Sequence, residues 1–246
     1  MTVQPPAQSK LYEGKAKIIY ATDDPEVLLS WFKDDATAFN AQKRGSITGK
    51  GEVNCTLSSH LLQLLEKQGI ATHWLSQPTA NTMEVKAVTI VPLEVVVRNI
   101  AAGSLCRQTG IDVGTVLDPP LVEFYYKNDD LGDPLMTHDR ILAMKIATTE
   151  LLQELEAIAR RIDEGLTTFF EQCGITLVDF KLEFGFDSQK NLLLADEISP
   201  DTCRLWNIGE ADAEKRVMDK DRFRHDLGQV EDAYQQVLER VLKQIS

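Results

Sequence analysis

Cysteine is scarce and scattered in this chain: four in 246 residues, at Cys55, Cys106, Cys173 and Cys203, with no Cys-x-x-Cys pair. That excludes a dense disulfide framework and a four-cysteine zinc site, and it reads the thiols as reduced packing residues. Long apolar runs are missing as well; nothing approaches the roughly 18 consecutive apolar residues that a membrane span needs. The opening residues, Met1-Thr-Val-Gln-Pro-Pro-Ala-Gln-Ser-Lys10, lack the apolar core of a secretory signal, which makes the cytoplasm the expected compartment. Positive charge is in deficit, 26 Lys and Arg against 38 Asp and Glu, for a net charge of -12 at pH 7. Such a field repels nucleic acid and anionic membranes, so neither is expected as a partner, and an anionic substrate needs a local pocket of cations.

Two familiar nucleotide-binding signatures are also absent. In Gly45-Ser-Ile-Thr-Gly-Lys-Gly51 the spacing between glycines and the residues after Lys50 do not match a Walker loop, and the stretch reads as a flexible loop or lid. There is no His-Arg-Asp catalytic loop, and Asp179-Phe180 is followed by Lys181 where a protein kinase has glycine.

What is present starts with 43% hydrophobic residues, enough to core one large domain or two small ones. The most informative segment is Leu177-Val-Asp-Phe-Lys-Leu-Glu-Phe-Gly185. In a strand, Val178, Phe180, Leu182 and Phe184 form an apolar face and Asp179, Lys181 and Glu183 share the other, an arrangement of charges that suits a metal and a polyanion. After the polar turn Phe186 to Asn191, Leu192-Leu-Leu-Ala-Asp-Glu197 reads as the return strand of a hairpin. With Ser188 and Gln189 as its loop, Asp196 falls opposite Lys181, and Asp179 and Glu183 lie at a diagonal distance of about 7 Å. Glu183 and Asp196 are then oxygen ligands fit for a hard cation such as Mg²⁺. A solvated surface hairpin accounts for the same spacing, and a one-residue slip would separate the two carboxylates.

Lys10 to Thr22 reads as a hairpin pivoting on Gly14, with Lys15 and Lys17 as point charges for phosphate or as a solvated basic edge. Val27 to Phe32 is a second strand, and Leu57, Leu61, Leu62, Leu64 and Leu65 mark an amphipathic helix stopped at Gly69. A strand from Glu84 to Ile90 is expected to break at Pro92, a hinge or domain crossing, and to resume from Leu93. Arg98 then closes that strand, followed by small residues and the hydroxyl of Ser104; an anion site and an Arg98–Glu94 ion pair fit it equally well. Tyr125 to Pro134 reads as strand then charged loop, and Thr149 to Gln172 and Gln229 to Lys243 as amphipathic helices. Strands and helices without regular alternation predict an α+β fold.

Five blocks, Tyr12-Glu-Gly-Lys-Ala-Lys17, Val91-Pro-Leu-Glu-Val-Val-Val-Arg-Asn-Ile-Ala-Ala-Gly-Ser104, Leu177 to Gly185, Asp196-Glu-Ile-Ser-Pro-Asp201 and Met218-Asp-Lys-Asp-Arg-Phe-Arg224, together resemble the SAICAR synthetase family, nearly end to end. The resemblance implies a two-lobed α+β fold, with an ATP cleft between a small antiparallel-sheet lobe over residues 1–90 and a larger mixed lobe over 91–246. It implies an ATP-dependent ligase of de novo purine biosynthesis that joins L-aspartate to carboxyaminoimidazole ribonucleotide, with Mg²⁺, as a cytoplasmic homodimer. Carried over by position, Gly14, Lys15 and Lys17 are the ATP phosphate clamp, Val91 lies at the adenine, and Glu183 and Asp196 hold the metal beside Lys181. Arg98, Ser104 and Arg204 take the ribonucleotide, and Lys127 and Asp133 approach the reacting centre. A kinase or a non-catalytic nucleotide-binding regulator would share the lysine and carboxylate cleft. The arginine and serine set speaks against a mere regulator, and dependence on L-aspartate separates the ligase from both.

Overall fold

The computed structural model describes residues 8–38 and 42–245, so residues 1–7, read above for a signal, lie outside the described residues. The first half of the chain forms an antiparallel sheet from β1 (Lys10–Glu13), β2 (Lys17–Ala21), β3 (Val27–Phe32), β6 (Trp74–Thr79) and β7 (Thr82–Lys86), in the order β1-β2-β3-β7-β6. β1 and β2 are the expected hairpin, closed by the Gly14 N–H donating to the Lys17 carbonyl at 2.8 Å. Between β3 and β6 come a two-stranded ribbon, β4 (Asp35–Ala38) with β5 (Lys43–Ser46), and helix α1 (Lys50–Lys67).

The Gly45 to Gly51 stretch is therefore not a flexible loop. Gly45 pairs with Ala36 in the ribbon, Gly49 takes a left-handed φ of 77°, and α1 begins at Lys50. The Asp34 carboxylate accepts the Gly49 and Gly51 N–H groups at 3.1 and 2.9 Å, satisfying donors that a helix start leaves open. Gly51 lies so close to the end of β3 that an added Cβ would sit 2.5 Å from the Phe32 carbonyl oxygen. The leucine periodicity marked only the later turns of α1, where Leu57, Leu61, Leu62 and Leu65 are buried, and Gly69 (φ 80°) follows its end as expected.

The second sheet has the order β10-β9-β8-β11-β12, built from β8 (Thr89–Ile100), β9 (Val116–Tyr126), β10 (Leu135–Met136), β11 (Ile175–Phe186) and β12 (Leu192–Ala195). β13 (Cys203–Asn207) pairs with the first half of β11. Helices α2 (Gly103–Thr109), α3 (His138–Ala143), α4 (Thr149–Gln172), α5 (Asp221–Arg224) and α6 (Val230–Ile245) complete the described chain. The expected break at Pro92 does not occur. β8 runs through it, because Pro92 falls at a bulge between the Glu94↔Glu183 and Ile90↔Gly185 pairs, where a missing N–H costs no ladder bond. The strand expected over Glu84 to Ile90 is instead the end of β7 and the start of β8.

The hairpin register also differs by one residue. Asp187 to Asn191 form a longer turn in which the Asp187 carboxylate accepts the Gln189 and Asn191 N–H groups, so Phe186 pairs with Leu192 and Glu183 with Ala195. Asp196 lies just past the end of β12, beyond the Glu183↔Ala195 pair, rather than opposite Lys181.

Apolar side chains from both sheets meet in one cluster: Phe32, Met83 and Val85 from the first, Leu93, Val95, Phe180 and Leu182 from the second. Leu57, Leu61 and Leu65 of α1, Leu155, Ile162 and Phe170 of α4, and Val237 and Val241 of α6 complete it. α4 and α6 form as their 3.6-residue periodicity demands, α4 capped by the Thr148 hydroxyl accepting the Leu151 N–H at 3.2 Å. A buried ion pair, Lys50 Nζ to Asp201 Oδ2 at 2.9 Å, with the Tyr234 hydroxyl donating to Asp201 Oδ1 at 2.6 Å, ties α1, the segment before β13, and α6 together.

Candidate active site

The face of the second sheet turned away from α4 carries the charge. Antiparallel pairing sets Arg98 opposite Asp179, Val96 opposite Lys181 and Glu94 opposite Glu183, with Glu123 and Tyr125 of β9 flanking Val96 and Glu94. Alternation puts all of these on one side, and Leu93, Val95, Val97, Phe180, Leu182 and Phe184 on the other. This polar face is not a solvated hairpin: Asp179 and Glu183 are each only 4% exposed.

Glu94 and Glu183 are like charges directly opposite one another, and Lys181 relieves their repulsion. Its Nζ reaches Glu94 Oε1 at 3.2 Å, Asp196 Oδ2 at 3.1 Å and Glu183 Oε1 more closely still. Asp196 reaches this group despite the register slip because it takes φ 77°, a left-handed conformation that turns its carboxylate back over β11. Lys127 Nζ lies 2.6 Å from Glu183 Oε1, and Lys17 Nζ pairs with Asp196 Oδ1 and stands 3.7 Å from Glu197 Oε2. Three lysines and four carboxylates thus interlock.

The protonation states follow. Burial opposes the Lys17 charge, but Asp196 and Glu197 outweigh it and push its pKa up to about 12. Lys181 is raised well above the ordinary lysine value, against burial, by Glu183 and Asp196. Asp196 is held well below the carboxylate range, again against burial, by Lys17 and Lys181. Glu197 moves the other way, raised by burial, and its Oε2 has no hydrogen-bond partner among the described residues.

A second centre lies toward the start of β11. Asp179 Oδ2 accepts from Arg98 NH1 and from Arg204 NH1, each at 2.8 Å. Arg98 also donates from Nε to Glu123 at 2.7 Å, and from NH2 to Ser104 Oγ at 3.1 Å and Tyr125 Oη at 3.2 Å. Arg204 donates from Nε to Asp221 Oδ2 at 2.7 Å, and Arg224 NH1 lies 2.6 Å from Asp221 Oδ1. Against burial, Arg204 and Arg224 hold the Asp221 carboxyl down at about 2.

The profile of the SAICAR synthetase family matches residues 10–241. A phosphoribosylaminoimidazole-succinocarboxamide synthase from Nostoc sp. is 70% identical over 234 residues, covering 95% of this chain and 96% of that protein. The chain belongs to the SAICAR synthetase family. A crystal structure of the synthase from Ehrlichia chaffeensis superposes with a TM-score of 0.91 at 44% identity, over 95% of this chain and 98% of that one. A SAICAR synthetase solved in complex with ADP gives a TM-score of 0.90 at 44% identity, over 94% and 97%. As a SAICAR synthetase the chain is an ATP-dependent carbon–nitrogen ligase of purine biosynthesis with the expected α+β fold. No helix among the described residues is long and apolar enough to cross a membrane.

Within this family member, most of the residues singled out from the sequence fall into two groups. Lys17, Lys127, Lys181, Glu183 and Asp196 are brought together, as are Arg98, Ser104 and Arg204. Gly14 and Lys15 lie in the β1–β2 turn, where Lys15 Nζ reaches Asp129 Oδ1 at 2.6 Å, apart from Lys17. Val91 is buried in the apolar cluster on β8. The Asp133 carboxylate accepts the Asn128 N–H at 2.9 Å and so closes its own loop rather than reaching the lysines. Glu94 meets Lys181, not Arg98, since the strand-to-strand diagonal is shorter than the reach along one strand. Asp179, Glu94, Glu197 and Asp221 complete the centres; Asp179 and Glu94 stand on alternating strands and were visible there, but their partners were not. Glu183 and Asp196 converge on one ammonium, two hard carboxylate donors aimed at a single point, and this donor set fits a Mg²⁺ ion.

Proposed function

We propose that this chain joins L-aspartate to carboxyaminoimidazole ribonucleotide at the expense of ATP, and that the two charged centres of its sheet face divide the work. The observation that carries this reading is the convergence of Lys17, Lys127 and Lys181 on Glu183 and Asp196, with Glu183 on β11, the strand whose Asp179 bonds both Arg98 and Arg204. A carboxylate is a poor acyl donor because oxide would have to leave. Transfer of the γ-phosphoryl group to a carboxylate oxygen, with ADP departing, makes an acyl phosphate; the aspartate amine then adds to that carbonyl, phosphate leaves, and the amine loses a proton.

These steps require alignment and neutralised charge. Lys17, with Lys15 and the backbone at Gly14, takes the nucleotide phosphates as its ammonium passes from Asp196 to phosphate oxygen. Lys181 and Lys127 make the same exchange from Glu183. Glu183 and Asp196 would hold Mg²⁺, which would neutralise phosphate oxygens when bound. Adenine lies along Val88 to Pro92 beside Val91. Arg98, Ser104 and Arg204 bind the ribonucleotide, and Asp133, one loop from Lys127, accepts the amine proton. In this reading the cleft divides residues 1–90 from 91–246, and the enzyme works as a cytoplasmic homodimer, as the family resemblance implies.

The test is phosphate release from ATP and Mg²⁺ with carboxyaminoimidazole ribonucleotide, with and without L-aspartate, while the succinocarboxamide is followed. Release matched by product and dependent on both substrates is expected. Release indifferent to L-aspartate would mean a phosphotransferase, and no release would overturn the proposal.

A further inference from the structure

Arg98 and Arg204 come from different strands of one sheet, and two guanidiniums brought side by side repel. Each has another carboxylate to turn to: Glu123 for Arg98 at 2.7 Å, Asp221 for Arg204 at 2.7 Å. What keeps them together is one oxygen atom. Asp179 Oδ2 accepts an NH1 donor from both, 2.8 Å each, and Asp179 is only 4% exposed, so it stays beneath the pair rather than in the path of a ligand.

With the NH1 groups turned inward, the NH2 edges face the same place. Arg98 NH2 donates to Ser104 Oγ at 3.1 Å and to Tyr125 Oη at 3.2 Å. The Arg204 guanidinium lies against the backbone of Gly103, so that an added Cβ there would sit 2.6 Å from its Cζ. Among the described residues Arg204 NH2 has no acceptor. The open Arg204 NH2, the Ser104 hydroxyl and the Arg98 NH2, once it turns from Tyr125 Oη to a ligand, therefore offer directed donors at residues 103 and 104, a set suited to a phosphate monoester.

The charges around this point are balanced. Glu123, Arg98, Asp179, Arg204, Asp221 and Arg224 alternate in sign along one chain of ion pairs. An anion at this point would be gripped by fixed N–H directions, without a surplus of positive charge. Asp179 also stands two residues from Lys181 on β11, which sets the step between the two centres at about 7 Å by strand geometry.

We infer that Asp179 is the positioning residue of the anion site: its shared carboxylate oxygen yokes the Arg98 and Arg204 guanidiniums so that their outer edges present a preformed cradle, at Gly103 and Ser104, to the phosphate of the ribonucleotide. The inference rests on the reading of Arg98, Ser104 and Arg204 as the ribonucleotide site. It differs from that reading in assigning the affinity to a buried residue that does not touch the substrate.

Steady-state kinetics of Asp179→Ala, Asp179→Asn, Arg98→Lys and Arg204→Lys, at low and at physiological ionic strength, test it. Asp179→Ala should raise KM for carboxyaminoimidazole ribonucleotide at least about tenfold, lower kcat by a smaller factor, and leave KM for ATP within about twofold. Its ribonucleotide KM should also climb steeply with salt, since the chain of ion pairs is left with one surplus positive charge, while the native enzyme's changes little. Asp179→Asn keeps an acceptor oxygen without the charge, so it should recover part of the lost affinity and retain the salt dependence. If Asp179→Ala is not obtained folded, Asp179→Asn carries the test: neither a KM change nor a salt dependence overturns the inference. Raised KM in Arg98→Lys and Arg204→Lys with a native KM in the Asp179 variants overturns the inference and leaves the site intact. Native ribonucleotide KM in both arginine variants overturns the site reading, and the inference with it.

Discussion

Glu183 Oε1 is shared between the Lys127 and Lys181 ammoniums, and that one atom sets what a substitution does. Glu183→Gln keeps the shape and leaves the apolar face of β11 untouched, and Lys127, 41% exposed along its side chain, can turn to water. We expect a folded protein whose turnover falls at least about 100-fold, with a higher Mg²⁺ requirement; near-native activity across a Mg²⁺ titration would remove Glu183 from the metal site. Asp219 titrates in an accessible range. Burial and the neighbouring Asp221 charge push its pKa up to about 7, although the Asp221 and Leu205 N–H groups both donate to it. The folded state binds this proton more tightly than an unfolded carboxyl with a pKa of about 3.9 does. Its stabilising effect is therefore complete at low pH and is lost as pH rises from about 4 through about 7. The difference in unfolding midpoint between the native protein and Asp219→Asn should shift in the variant's favour across that window, and a pH-independent difference would refute the assignment.

At the scale of elements, two helical glycines that look alike in sequence should behave oppositely. In a helix interior Gly→Ala ordinarily stabilises by about 1 kcal/mol. At Gly51 in the first turn of α1, the new Cβ would lie 2.5 Å from a backbone oxygen, Phe32 O, which cannot rotate away, so Gly51→Ala should destabilise by about 2 kcal/mol. At Gly165 in α4 the obstacle is the side-chain amide of Gln68, with Cδ at 3.0 Å, which can swing aside toward solvent. Gly165→Ala should be close to neutral, and chemical denaturation of the two variants compares them directly. The β11–β12 hairpin shows the limit of reasoning by element. Alternation identified both strands, but the five-residue turn built on Asp187 shifted the register by one, and only the left-handed backbone at Asp196 restored its carboxylate to Lys181.

For the whole molecule, the larger apolar cluster spans both sheets, with a small second one of Ile18, Tyr20 and Leu29 on the first sheet, and the Lys50–Asp201–Tyr234 contact ties α1 to α6. Residues 1–88 alone should therefore lack a cooperative thermal transition, since α1 would expose the face it turns to the rest of the chain, and calorimetry of the intact chain should show one transition. Two resolved transitions would mean lobes that fold independently. The same division of scale separates what was legible beforehand. Alternation in β11, the α4 and α6 periodicities and the Gly69 stop could be read because each depends on backbone geometry within a few residues. The resemblance of five blocks carried the family, since spacing of residue types survives without any knowledge of contacts. Which charge meets which could not be read. Lys17 finds Asp196 across 179 residues and Arg98 finds Asp179 across 81, pairings decided by strand register, a bulge at Pro92 and one left-handed aspartate. The sequence by itself determined the elements, their buried faces and the inventory of charges; the tertiary structure alone decided the partners, because an ion pair depends on a few ångströms of separation that sequence distance does not set.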